Sequence, residues 1–184
     1  MLNVCKEATF DSRSRPHVVI LGAGASKACI FNGDYYGRQI PLMNELINVS
    51  SIKNILEDHG YSLSEINNFE QFYSEVYDNN ETQLMERLEK IILEFFQDLR
   101  LPELPTVYDY LICSLRSKDL IATFNWDPLL MQAYMRCPFK FKPKLLFLHG
   151  NVSVGYCEKD HISAYIGHRI TSKGNLIPLN SLHK

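Results

Sequence analysis

Apolar residues along this chain follow two kinds of pattern. Short unbroken runs at His17–Leu21, Leu120–Ala122 and Leu145–Leu148 are rich in Val, Ile and Leu, and turn or polar residues follow each of them. Runs of that length, bounded in that way, predict strands buried in a parallel sheet. Between the first two runs the period changes. From Leu42 to about Leu99 the pattern is helical, with breaks near Gly60 and Asp78–Asn80. Its clearest piece is Thr82–Leu99, where Leu84, Leu88, Ile91, Ile92, Phe95 and Leu99 oppose Glu86, Arg87, Glu89 and Lys90. Pro102 and Pro105 end that piece. Thr106–Arg116 predicts one more helix. Asp127–Met135 predicts another, with Asp127 as its cap and Pro128 in the first helical position.

Taken together, the elements predict an α/β fold: a Rossmann-like parallel sheet flanked by helices, with residues 42–99 as a helical insertion after the first βα unit. Residues 1–16 are polar and read as a flexible leader, and residues 17–184 as a single domain. Ile30–Pro41 carries Gly33 and Gly37 and predicts a loop over the first turn. Its Asp34, Tyr35, Tyr36 and Arg38 suit either a lid or a plain exposed loop. After Asn151 the pattern weakens into short extended pieces, so residues 151–184 read as a shortened tail.

Composition narrows the function classes. A net charge of −2 gives no electrostatic pull toward nucleic acid or an anionic membrane, so neither is an expected partner. Five cysteines, odd in number and never spaced as CxxC, argue against a disulfide framework and predict a cytoplasmic protein. Cys29 and Cys113 fall in predicted helices and read as small buried hydrophobes. No stretch reaches membrane-spanning length. His59, His161, His168 and His183 have no metal-ligand spacing to cysteines or acids, and no metal is expected.

The candidate chemistry sits where the three predicted strands end. Gly22-Ala23-Gly24-Ala25-Ser26 follows the first, Thr123-Phe124-Asn125-Trp126-Asp127 the second, and His149-Gly150 the third. A parallel sheet brings its carboxyl ends to one edge, so these strings can share one crevice suited to a dinucleotide. Gly22 and Gly24 would let backbone approach a phosphate, near the free N–H groups at the start of the next helix. The ordinary dinucleotide fingerprint wants a third glycine where Lys27 stands, and an acid-ended second strand where Leu42–Ile47 reads as helix. A hydride-transferring dehydrogenase is therefore disfavoured.

The three strings in this order, with helices between the first two, resemble the sirtuin-like family of NAD-consuming proteins. Segments such as GRQIPLMNELI, FNWDPLLMQAY and FLHGNVSVG are similar to its bacterial, defence-associated NADases. The resemblance implies that Gly22, Ala23, Gly24 and Ser26 bind the phosphates of NAD. It implies that Asn125 holds the nicotinamide ribose or positions water, and that His149 is the general base. Asp127 would hold its turn or reach the nicotinamide amide. NAD is then substrate rather than resident cofactor, and the implied activity is NAD glycohydrolysis, switched on by self-assembly or an activating partner protein. Sirtuin deacylases carry two CxxC pairs on a zinc module. Their absence here makes water the expected acceptor, and the family's later strands on the adenine side have no counterpart in Ile162–Lys184.

Blander readings stand beside these. His149 could finish a strand bonded to backbone, Asn125 could satisfy its own turn, and Asp127 and Ser26 could each cap a helix. Trp126 suits core or pocket wall. A nucleotide-binding sensor or scaffold without turnover is the alternative from another class, and a protein-lysine deacylase is a third.

Overall fold

The computed structural model describes residues 15–157, 162–165 and 177–180; for residues 156–157 and the last two segments it gives the backbone path alone. The remainder of the leader and of the tail, including His161, His168 and His183, lies outside the described residues. Three four-residue strands form a parallel sheet: β1 (Val18–Leu21), β2 (Leu120–Thr123) and β3 (Lys144–Phe147), in the order β1-β2-β3. Val19 pairs with Ile121 and Ile121 with Leu145; Leu21 pairs with Thr123 and Thr123 with Phe147. Because side chains alternate along a strand, Val19, Leu21, Ile121, Leu145 and Phe147 pack on the core, while Val18, Ile20 and Leu146 point to an exposed face, which corrects the expectation of fully buried strands for β1 and β3.

Asp119 pins the other end of this sheet. Its buried carboxylate accepts hydrogen bonds from the backbone N–H groups of His17 (2.8 Å) and Arg116 (2.7 Å). Those bonds, that of His17 foremost, hold the carboxyl down at about 2.

Helices occupy the long connection between β1 and β2. α1 (Ala23–Cys29) leaves the first turn, and a 3₁₀ helix at Met43–Asn48 replaces the start of the regular helix expected from Leu42. α2 (Ser50–Asp58), α3 (Phe69–Asp78), α4 (Thr82–Gln97) and α5 (Val107–Ser114) follow. In α4, Leu84, Leu88, Ile92 and Phe96 form a buried i, i+4 row. Phe69, Phe72 and Val76 of α3 and Ile52 and Leu56 of α2 belong to the same core. Asn68 begins α3 by accepting from the N–H groups of Glu70 and Gln71, so the first turn of that helix is fixed. Glu89 is buried in α4 because Tyr73 donates to it at 2.6 Å. No helix among the described residues is long and apolar enough to cross a membrane.

α6 (Leu129–Arg136) follows β2. It starts one residue past the Pro128 expected in the first helical position, with Pro128 outside the helix; Asp127 still serves its start by accepting from the N–H of Leu129 at 3.1 Å. Beyond β3 the chain builds a second sheet. β4 (Gly150–Cys157) pairs antiparallel with β5 (Ile162–Tyr165) on one side and β6 (Ile177–Asn180) on the other. The short extended pieces expected after Asn151 are thus joined in one three-stranded sheet.

The loop at Ile30–Pro41 is anchored by Asp34, a buried acid. Its carboxylate accepts from the N–H groups of Tyr36, Arg38 and Arg100 and from the Arg38 guanidinium. Tyr35 and Tyr36 stay exposed. Gly33 has φ +100°, and a Cβ there would stand 2.7 Å from the Gly37 carbonyl carbon, so this corner requires glycine. Cys29 is buried, as predicted; Cys113 is exposed at the end of α5, which corrects its reading as a buried hydrophobe.

Candidate functional site

The three strand ends lie side by side. Phe124 N–H donates to Leu21 O (3.0 Å) and Leu148 N–H to Thr123 O (2.8 Å), carrying the ladder one step past the strands. That step sets the first glycine turn, Asn125 and His149 along one edge. A cavity of about 220 Å³ opens there. Ala23, Asn125, Asp127 and His149 are in its wall, together with Trp126, Phe124 and Glu70. Ile40, Pro41, Met43, Leu46 and Phe96 make the apolar remainder.

Neither glycine of the first turn is required by the fold. Gly22 has φ −116° and ψ −176°, a conformation open to any residue, and Gly24 is helical. A Cβ on either would meet nothing within 4 Å. The tight strand-to-helix turn therefore does not explain them, and the space in front of both is open.

Asn125 is buried, and its orientation is over-determined. Its Nδ2 donates to Gly22 O (2.9 Å) and Ser26 Oγ (2.7 Å), with Tyr108 Oη at 3.3 Å. Because a carbonyl oxygen only accepts, the Gly22 contact identifies that atom as the amide nitrogen. Asn125 Oδ1 has no protein partner among the described residues, yet no sealed side-chain polar atom there lacks one. Oδ1 is therefore open to the cavity as an acceptor. The backbone of the same residue is held by Thr123 Oγ1, which accepts its N–H at 3.0 Å.

Ser26 is fully buried and faces inward. Its hydroxyl lies 2.7 Å from Tyr108 Oη, accepts from Asn125 and bonds the Asp127 carboxyl. These bonds direct the Ser26 hydroxyl into the protein. One arrangement satisfies all partners: Tyr108 donates to Ser26, and Ser26 donates to Asp127. Burial pushes the Asp127 carboxyl up to about 6, against hydrogen bonds from Ser26 and Leu129 that work the other way. The same burial pushes the Tyr108 hydroxyl well above the usual phenol range.

His149 is partly exposed at the cavity edge, its ring packed edge-on against Phe124 with centroids 4.9 Å apart. Its ring nitrogens have no hydrogen-bond partner among the described residues, so the backbone-bonded alternative does not apply to them. Trp126 is pocket wall as well as packing: its ring meets Phe96 edge-on at 6.3 Å.

Three residues outside the predicted site complete it. Asn151, next to Gly150, donates through Nδ2 to the carbonyls of Asp127 (2.7 Å) and Asn125 (3.2 Å). Val152 N–H adds a bond to Trp126 O at 2.9 Å, so β4 clamps the 125–127 loop and ties it to the His149 turn. Tyr108 reaches in from α5. Glu70, in the first turn of α3, brings to the wall a carboxylate with no partner among the described residues. Glu70 lies on an amphipathic helix where an acid looks like solvated surface, so no sequence signal marks it. Tyr108 and Asn151 act through hydrogen bonds that span 17 and 26 positions, beyond the reach of local pattern.

The chemical inventory of the cavity is an amide oxygen, the His149 imidazole, a carboxylate from Glu70 and a carboxyl of raised pKa on Asp127. No cluster of metal-ligating side chains exists among the described residues. No protein-family model matches the chain, and a search of curated proteins finds none similar to it.

Proposed function

We propose that this chain is an NAD glycohydrolase of the sirtuin-like type, converting NAD and water to nicotinamide and ADP-ribose. The observation that supports it is the shared cavity: Asn125, Asp127, His149 and Ala23 of the glycine turn, from three separate strings, line one wall. Cleavage breaks the bond between the ribose anomeric carbon and the pyridinium nitrogen. The electron pair returns to the ring, so nicotinamide leaves neutral without an acid. A site for this reaction needs stabilisation of an oxocarbenium-like ribose and an oriented water. Asn125 Oδ1 supplies the oriented acceptor, and His149 accepts the proton of the attacking water. Glu70 offers negative charge from the cavity lining.

At about 220 Å³ the cavity falls below the roughly 300–1,000 Å³ of sites that enclose drug-sized ligands. It suits the nicotinamide–ribose half, with the diphosphate running out over the open Gly22–Gly24 turn. The reading includes a Rossmann-like sheet with residues 42–99 as its helical insertion. It also includes a cytoplasmic role in anti-phage defence, silent until self-assembly or a partner protein releases it, because unregulated NAD loss would harm the cell. That regulatory part rests on the resemblance alone.

The same small cavity favours a second reading, a module that binds NAD or ADP-ribose without turnover. Release of nicotinamide from NAD by the purified chain, followed with and without an acetylated peptide, separates them. Peptide-independent release that disappears in Asn125→Ala and His149→Gln supports hydrolysis. The His149 variant is the cleaner test, since its ring makes no hydrogen bond among the described residues whose loss would disturb folding. Calorimetric binding with no release supports the sensor, and peptide-dependent release would move the assignment to deacylation.

A further inference from the structure

Away from the cavity, two thiols from different helices face each other. Cys113, exposed near the end of α5, has its Sγ 3.8 Å from the Sγ of Cys137, which is buried directly after α6. The two helices are already tied at this end. The Arg136 guanidinium pairs with Asp109, its Nε donating to Asp109 Oδ1 at 2.6 Å, and Arg136 also donates to Pro102 O at 2.7 Å. The thiols stand at van der Waals contact beside this tie, and a bonded pair requires their sulfurs to close from 3.8 Å to about 2.05 Å.

We propose that Cys113 and Cys137 form a reversible disulfide that covalently joins α5 to α6. Exposure divides the labour. Cys113 is the thiol a reagent can reach, and Cys137, sheltered from solvent, is placed to resolve what forms there. With a low-molecular-weight disulfide RSSR as oxidant, the Cys113 thiolate attacks one sulfur, forms a mixed disulfide and expels one RS⁻. The Cys137 thiolate then attacks Cys113 Sγ, forming the intramolecular bond and expelling the second RS⁻. Two protein thiols lose two electrons, RSSR gains them, and the two protons end on the released thiols. Partial desolvation and the neighbouring Cys137 raise the Cys113 thiol, so the first step accelerates with pH.

The bond would close a loop of 24 positions that contains β2 and the whole 123–127 string. α5 also carries Tyr108, whose hydroxyl reaches Ser26 and Asn125. Oxidation therefore restrains the helix pair that holds the candidate site. A loop of this length raises the melting temperature of a domain this size by roughly 10 °C.

The test uses the full-length chain incubated with glutathione disulfide, then digested with trypsin under non-reducing conditions. The expected product is a cross-linked peptide joining the Cys113 segment to the Cys137 segment, two hydrogens lighter than their sum and separated by dithiothreitol. Thermal unfolding should shift upward by about that amount in the oxidised protein and return on reduction. Cys113→Ser should lose both the cross-link and the shift. The wild-type peptide map decides the pairing even if Cys137→Ser folds poorly. Glutathione retained on Cys113, a bond from Cys113 to Cys29 or to another chain, or a cross-link with no thermal shift would each overturn the proposal.

Discussion

Asp127 is a buried acid whose ionisation this fold resists, and its substitution by asparagine has a signature that can be worked out in advance. The carboxyl is 3% exposed, and burial raises it from the ordinary 3.8 to about 6. Because the folded value lies above the unfolded one, folding takes up a proton between about pH 4 and pH 6. The stabilisation linked to that proton is complete below about pH 4, is lost as pH rises through about 6, and changes no further above it. Two pKa units at about 1.4 kcal/mol each correspond to roughly 3 kcal/mol across the window. Asp127→Asn keeps an oxygen to accept from Leu129 N–H and carries no charge at any pH. Urea unfolding of both proteins between pH 4 and pH 8 should give a stability difference that moves in favour of the variant by roughly 3 kcal/mol as pH rises. A fixed cost of the swap displaces that curve without changing its slope, and Asp119, whose shift runs the other way, is common to both proteins and cancels. A difference independent of pH, or one that moves toward the wild type on alkalinisation, would refute the account of Asp127 as a charge held out of water.

Tyr108→Phe removes one hydroxyl from the cluster around Asn125 and Ser26. Thermal unfolding should show a loss of about 1 kcal/mol, and under the proposed reaction kcat should fall about tenfold while KM stays within about twofold. The glycines should separate by cause. Gly33→Ala forces a side chain into the left-handed region against Gly37 and should cost more than about 1–2 kcal/mol by denaturant titration. Gly22→Ala meets open space and should change stability by less than about 0.5 kcal/mol, while weakening NAD binding measured by calorimetry.

The parallel sheet was legible because its strands are unbroken Val, Ile and Leu runs, and the helical stretch because Leu84, Leu88 and Ile92 repeat at helical spacing. The edge that gathers the first turn, Asn125 and His149 followed from parallel topology alone. β4 was harder to read. Asn151, Val152 and Ser153 are all buried, so the alternation that marks a half-exposed strand is absent. Asp127 was read correctly as serving the helix start but one position too close, since Pro128 takes the place outside the helix. The partners of Ser26, Tyr108 and Asn125, were out of reach because they lie 82 and 99 positions away. Glu70 reached the cavity through the packing of α3 on the core, a tertiary fact that no local window contains.

One detail of the cavity wall bears on how anything enters it. An asparagine amide normally samples several orientations, and a ligand that needs one of them must freeze the others out. Here three acceptors grip the nitrogen end, so both side-chain torsions are already settled when the chain folds. The entropy of immobilising that amide is lost during folding and forms no part of association. A visitor to this crevice finds the oxygen aimed before it arrives.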